Sequence, residues 1–250
     1  MPETTQPSKT TAPEASAPPG ARRARVPLNK RHFQNWLWLA LLVIGLPVVY
    51  RPGHGTTPEA LRGWTDFLGA ALLVGGVLIR VLARGWKREQ QRKELVTDGL
   101  YGVIRHPLYL GSFLLGLGLC SLIGDLPVAA WFAVCFWVGH APVIRDEERF
   151  LVGRHGDAFL EYKSRVPALL PSPGGLFSRR RVRPSDLRGA IACEADAVCL
   201  WPVLGVLTKA ADQWAAFGSL TPQILALIGV AVALVSLWAV LKRQLRSSRG

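Results

Sequence analysis

Two short stretches hold residues whose types and spacing could do chemistry. In the first, GLYGVIRHPLYLG at residues 99–111, Arg105 and His106 stand against Pro107 at the head of an uncharged tract. In the second, RDEERF at residues 145–150, Glu147 and Glu148 are adjacent carboxylates. Charged groups at the edge of an apolar helix are costly unless they are paired or functional. Arg105 offers a planar guanidinium and His106 an imidazole. Pro107 at the first helical position would leave the amides that follow it open to an anion, such as a carboxylate or phosphate. A carboxylate pair suits an ammonium, a sulfonium or ribose hydroxyls. A zwitterionic ligand carrying both kinds of group fits the two stretches, provided the fold brings them together.

The elements that must do so are apolar. Five tracts of the 250-residue chain carry no Lys, Arg, Asp or Glu: Asn35–Tyr50, Phe67–Ile79, Pro107–Gly124, Leu126–Ile144 and Gln213–Leu241. A helix that crosses a bilayer needs roughly 20 mostly apolar residues, with roughly 17 as the short end. The third, fourth and fifth tracts meet that limit and the first is slightly short. The second meets it over about Phe67–Arg84 if Arg80 snorkels to the interface. None shows the 3.6-residue polar stripe of a soluble core helix. The expected fold is all-α, a polytopic integral membrane bundle. Its sixth crossing depends on residues 190–207, which read either as a span or as a helix lying in the interface. Six spans are expected, with five as the variant.

Charge sets the orientation. Lys and Arg number six in residues 1–35, six in 84–106, ten in 145–188 and four after Leu241, against two in 51–65 and one in 209–222. Basic loops stay cytoplasmic. Both termini, and a ligand pocket at the Arg105/Glu148 level, are therefore expected on the cytoplasmic face. The net charge of +13 flanks apolar spans and comes with no zinc finger, basic zipper or RNA-recognition motif. It reads as topology and contact with anionic lipid, with no nucleic acid as partner. Cys120, Cys135, Cys193 and Cys199 form no CxxC pair and have no His at ligand spacing, so neither a metal site nor a disulfide framework is expected. Arg outnumbers Lys 23 to 7, a composition that hints at a GC-rich genome and a bacterial inner membrane.

Along the chain, residues 1–31 read as a disordered basic tail, rich at first in Pro, Ser, Thr and Ala. Residues 32–171 form a core, and 172–250 an extension with one or two further membrane helices. RPGHGTTPEALRG reads as an outside loop, RGWKREQQRKELVTDG as a basic cytoplasmic helix, and GDLP as a tight turn. So short a turn makes the third and fourth spans antiparallel neighbours, which brings RHP close to RDEERF. The glycines at 75, 76, 111, 116 and 118 read as close helix contacts.

The same stretches carry a resemblance. GLYGVIRHPLYLG followed by EERFLVGRHGDAFLEYKSRVPALLP resembles the isoprenylcysteine carboxyl methyltransferase family and the wider phospholipid-methyltransferase-like group. The shared elements are a Tyr before RHP, Tyr109 and Gly111 after it, and the pair Glu147–Glu148. Gly156, Phe159 and Tyr162 follow, then Val166, Pro167 and Pro171. The resemblance covers roughly residues 66–171. It implies S-adenosyl-L-methionine as cofactor and a lipophilic methyl acceptor entering from the bilayer. Carried over, it implies cofactor contacts from Tyr101, Arg105, His106, Pro107, Tyr109, Gly111, Glu147, Glu148, Arg149 and Tyr162. Arg105 and Glu148 would be the catalytic pair, and Arg154 could help close the pocket. The acceptor could be an isoprenylcysteine carboxylate, an isoprenoid or a phospholipid. The extension, and His140 and Pro142 late in the fourth span, depart from the simplest family pattern. A nicotinamide-dependent membrane reductase of the sterol type and a non-catalytic transporter or assembly protein are the competing readings.

Overall fold

The computed structural model describes residues 57–90, 95–170 and 187–247. Among them all regular structure is helical. Helix α1 runs Glu59–Gln90, α2 Pro107–Ile123, α3 Leu126–His155, α4 Asp157–Arg165, α5 Leu187–Cys193, α6 Trp201–Phe217 and α7 Pro222–Ser247. A 3₁₀ turn at Gly99–Gly102 precedes α2, and a π turn at Asp196–Leu200 joins α5 to α6.

Three helices are long and apolar enough to cross a membrane: Ala60–Lys87, Leu126–His155 and Pro222–Arg243. The α5–α6 pair passes the same test only as one broken span, bent by 68°. Helix α2 is apolar but spans 17 residues. The expected six crossings also need Asn35–Tyr50, which lies outside the described residues, as does the 1–31 tail. The outer faces of α1 and α7 expose large apolar side chains, among them Phe67, Val74, Leu78, Val230 and Val232. Such surfaces are at home in lipid. The chain is an integral membrane protein.

Several boundaries differ from the sequence reading. EALRG is not loop, because α1 begins at Glu59. The basic helix expected from Arg84 to near Gly99 is the continuation of α1 as far as Gln90; residues 91–94 lie outside the described residues, and 95–98 are not helical. The fourth span does not stop at Ile144 but carries RDEERF on the same helix to His155. The stretch at 190–207 is neither a straight span nor a surface helix, but a break followed by a second segment.

The hairpin forms as its residues dictate. Gly124 takes φ +70°, and its amide donates to the carbonyls of Cys120 and Ser121 at 3.2 and 3.1 Å. Only glycine adopts that conformation without strain, so it closes α2. Asp125 then caps α3, its carboxylate accepting from the Val128 amide at 3.4 Å. Between the two helices Phe113 packs on Phe132, Phe136 and Trp137.

Helices α1 and α2 meet more closely, on glycines seven residues apart. A Cβ on Gly69 would lie 2.9 Å from the Gly118 carbonyl oxygen, and one on Gly76 would lie 2.9 Å from that of Gly111. The reciprocal approaches are the same to within a tenth of an ångström. Small residues at such spacing let backbones touch, which is how helices pack where no hydrophobic force separates lipid from side chain. Gly75 has nothing within 4 Å and takes no part.

Candidate functional site

The site lies where the end of α1, the start of α2 and the far end of α3 meet. Gly99 turns the chain there with φ +62°, its α-carbon so close to the Trp86 ring that any side chain would overlap it. The 3₁₀ turn then buries Tyr101 and delivers Arg105 and His106 to the head of α2. Their backbone amides donate to the carbonyls of Pro167 and Ala168 at 2.9 and 3.0 Å. The V-P element after α4 therefore clamps the RHP segment in place.

Glu148 is the hub. It is 8% exposed and reaches three cationic or polar partners. Its Oε1 accepts from Arg105 Nη2 at 3.0 Å and stands 3.2 Å from His106 Nε2. Its Oε2 meets Lys163 Nζ at 2.7 Å. Arg105 Nη1 also donates to the Lys163 carbonyl at 2.7 Å, which ties α4 to the head of α2. Charge-assisted contacts of this kind are the strong ones, and a buried carboxylate requires them.

A cavity of about 290 Å³ opens beside the hub. Its α3 wall is Glu147, Phe150, Leu151, Arg154 and His155, one face of the helix at three- and four-residue spacing. Leu95, Val96 and Phe159 add apolar surface, and Tyr101, Arg105, His106 and Tyr162 close the other side. The volume sits at the low end of the roughly 300–1,000 Å³ usual for ligand pockets. The Tyr162 hydroxyl donates to the Tyr101 carbonyl at 2.7 Å. Burial pushes both the Tyr101 and the Tyr162 hydroxyls up in pKa, so each stays protonated.

Of the ten expected cofactor residues, Tyr101, Arg105, His106, Glu147 and Tyr162 line this cavity. Glu148 stands behind it, holding Arg105 and His106. Tyr109 joins from the side, its hydroxyl donating to Glu147 Oε2 at 3.2 Å and its ring edge-on to His106. Pro107 is fully buried as the first residue of α2. Gly111 faces α1, where a side chain would overlap Arg80. Arg149 is exposed and pairs with Asp146 at 3.4 Å; with Arg145 and Lys163 it edges a separate shallow cleft on the far side of Glu148. The anion site expected at the amides after Pro107 is already occupied in part: the Tyr109 and Leu110 amides both donate to the His106 carbonyl.

Lys163 was not among the expected residues. The one signal for it is its place beside Tyr162, on a helix short enough to point back at α3. His140 stacks on Phe136, with Nδ1 at 2.8 Å from the Phe136 carbonyl, and touches Tyr109 edge-on. It is a packing residue one shell away from Glu147. Among the described residues no group of three potential metal ligands is found.

Parts of the chain are similar in sequence to known proteins. Residues 22–145, just under half of the chain, match the family described as "Protein of unknown function (DUF1295)". The Protein-S-isoprenylcysteine O-methyltransferase of Schizosaccharomyces pombe is 38% identical over 77 residues, 31% of this chain and 33% of that protein. Protein-S-isoprenylcysteine O-methyltransferase B of Arabidopsis thaliana is 26% identical over 58% of this chain and 76% of that protein. The Cobalt-zinc-cadmium resistance protein CzcN of Cupriavidus metallidurans is 36% identical over 43% of this chain and 51% of that protein. The chain thus spans a third to a half of the length of two of these relatives. No solved structure gives a significant match. Over the matched residues the chain is similar to isoprenylcysteine O-methyltransferases.

Proposed function

We propose that this protein is a membrane methyltransferase that takes S-adenosyl-L-methionine in the cavity beside Glu148 and methylates a lipophilic acceptor. The observation that carries the reading is the buried Arg105–Glu148–His106 junction beside a cavity of mixed lining. The residues suit the cofactor. Arg105 Nε is buried without a hydrogen-bond partner although the side chain is only 10% exposed, so a donor stands ready for a carboxylate. Glu147 offers an acceptor to an ammonium or to ribose hydroxyls. Phe150, Leu151 and Phe159 offer apolar surface to an aromatic base.

The cofactor, when bound, supplies a methyl group on a sulfonium. The chain's own residues align and enclose. Glu148 fixes the Arg105 guanidinium and the His106 ring, so neither must reorganise when a ligand arrives. Tyr109 holds Glu147 at the cavity wall. Tyr101 and Tyr162 close the inner side against water, which would favour in-line attack of the acceptor on the sulfonium methyl carbon, with the neutral thioether as leaving group. An acceptor that reacts through a carboxylate could be held by Arg105, whose planar fork matches it.

The acceptor class rests on the membrane setting and on the printed names of the methyltransferase relatives. We place the cavity on the cytoplasmic face by charge pattern and in a bacterial inner membrane by the Arg-rich composition, with anionic lipid around its basic rim. The test is transfer of labelled methyl from S-adenosyl-L-methionine by purified protein in nanodiscs. Acceptors offered are an isoprenylated cysteine, a free isoprenoid and a phospholipid. Label in the organic phase from wild type, lost in Arg105→Ala, supports the proposal. Binding of reduced nicotinamide with no transfer would return the reductase reading.

A further inference from the structure

The extension after residue 186 carries two acids beside its break, and they face opposite ways. Asp196 accepts from Trp238 Nε1 at 2.7 Å and meets Lys242 Nζ at 3.0 Å, so it fastens the extension to its own last helix, α7. Glu194 turns inward. It is 2% exposed, the most deeply buried charged residue among those described. Residues two apart on a helix do not share a face, and the π turn that follows aims the second helix away.

Glu194 grips α1 through two arginines. Its Oε2 takes Arg80 Nε at 2.8 Å and its Oε1 takes Arg84 Nε at 2.6 Å, and each guanidinium adds a second contact through Nη2. Arg80 therefore does not snorkel to a lipid interface; it is a bundle residue. Its remaining donor, Nη1, reaches Ser112 Oγ and the Leu108 carbonyl, the latter at 3.4 Å. Both belong to the opening turns of α2, directly after Arg105 and His106. Arg84 stands close enough to Tyr101 for the two to interact electrostatically. One carboxylate thus reaches both flanks of the 99–112 segment, each through one arginine.

We infer that Glu194 is a positioning residue: through Arg80 and Arg84 its carboxylate sets the placement of the 99–112 segment that carries Arg105 and His106. The extension is then part of the site's framework and not an appendage. A carboxylate this buried is costly unless paired, and its pairing with two arginines from one helix fixes α1, α2 and the extension at one level. The effect on cofactor binding rests on the function proposed above; the effect on the segment itself does not.

Hydrogen exchange of the full chain in nanodiscs tests it, read on peptides covering 99–112 and, as reference, 126–144. Wild type, Glu194→Gln and Ser112→Ala are compared, and the same samples are titrated with S-adenosyl-L-methionine. Exchange in 99–112 is expected to quicken about tenfold in Glu194→Gln and less in Ser112→Ala, with 126–144 unchanged. The cofactor dissociation constant is expected to rise by about tenfold in Glu194→Gln. Unchanged exchange in 99–112 in both variants overturns the inference. Equal quickening in both regions overturns it too, because that marks general loosening. If Glu194→Gln does not fold, Ser112→Ala decides by the same two outcomes. A wild type that binds no S-adenosyl-L-methionine refutes the cofactor reading alone, and the exchange comparison still decides the positioning.

Discussion

Glu148 accepts from an arginine, a histidine and a lysine that come from two other segments of the chain. Replacing it with Gln keeps the shape and removes the charge that compensates Arg105. Removing one partner of a buried pair costs about 3–5 kcal/mol. The lower end applies here, because the Lys163 side chain is 44% exposed and water can take over its charge. Glu148→Gln is expected to lower the melting temperature measurably and to weaken cofactor binding. Lys163→Met should do less of both. Equal stability and equal binding in Glu148→Gln would remove the hub from the account. The residue types at this junction were legible because RHP and EE flank two apolar runs joined by a tight turn. Lys163 was not, since nothing in a short amphipathic stretch says which of its charges points at a partner. As cofactor residues Gly111 and Arg149 entered by resemblance alone; the structure sets Gly111 in the close helix contact its sequence also indicated, and Arg149 in the open.

At the scale of elements, the glycine contact between α1 and α2 decides how high the RHP turn sits against Arg80 and Arg84. A Cβ at Gly118 would stand 2.9 Å from the Gly69 carbonyl oxygen, an approach that neither backbone can relieve without moving. Gly118→Ala is expected to cost about 1–3 kcal/mol through overpacking. Gly75→Ala, one residue from the contact line, should be neutral or slightly stabilising, since glycine is a poor helix former. Thermal unfolding of the two variants in one detergent checks the pair, and equal stabilities would rule out close packing on this face. The hairpin, the spans and the glycine faces could be read from apolar runs and turn residues. The behaviour of Arg80 could not, because its partner Glu194 is 114 residues away in sequence. A lone arginine at the edge of an apolar run looks the same whether it snorkels or is paired. The start of α1 at Glu59 was hidden for a different reason: PEALRG holds turn formers and helix formers together, and the following span decides between them.

Over the whole molecule, we propose from the charge asymmetry that both termini and the cavity lie on one side of the membrane. Epitope tags at either end should be cleaved by protease in inside-out vesicles and protected in intact cells. Cleavage of one tag in intact cells, with its protection in inside-out vesicles, would mean an odd number of crossings and would put that end on the opposite side of the membrane. The broken α5–α6 pair is the part of the topology that length and composition could not resolve. Its apolar total suffices for a span, yet Glu194 pairs with Arg80 and Arg84 inside the bundle and the exposed Asp196 pairs with Lys242 at its edge, and those pairs hold the break in place. Paired acids near the start of an apolar run thus mark a break as readily as an end.

The measurement that bears most directly on the central claim is titration calorimetry with S-adenosyl-L-methionine in detergent and again in nanodiscs. Wild type should bind with a single site, and His106→Ala and Glu148→Gln, each shown folded by thermal unfolding, should lose that binding. A well-folded wild type that releases no heat and shows no binding in either medium would contradict the methyltransferase account.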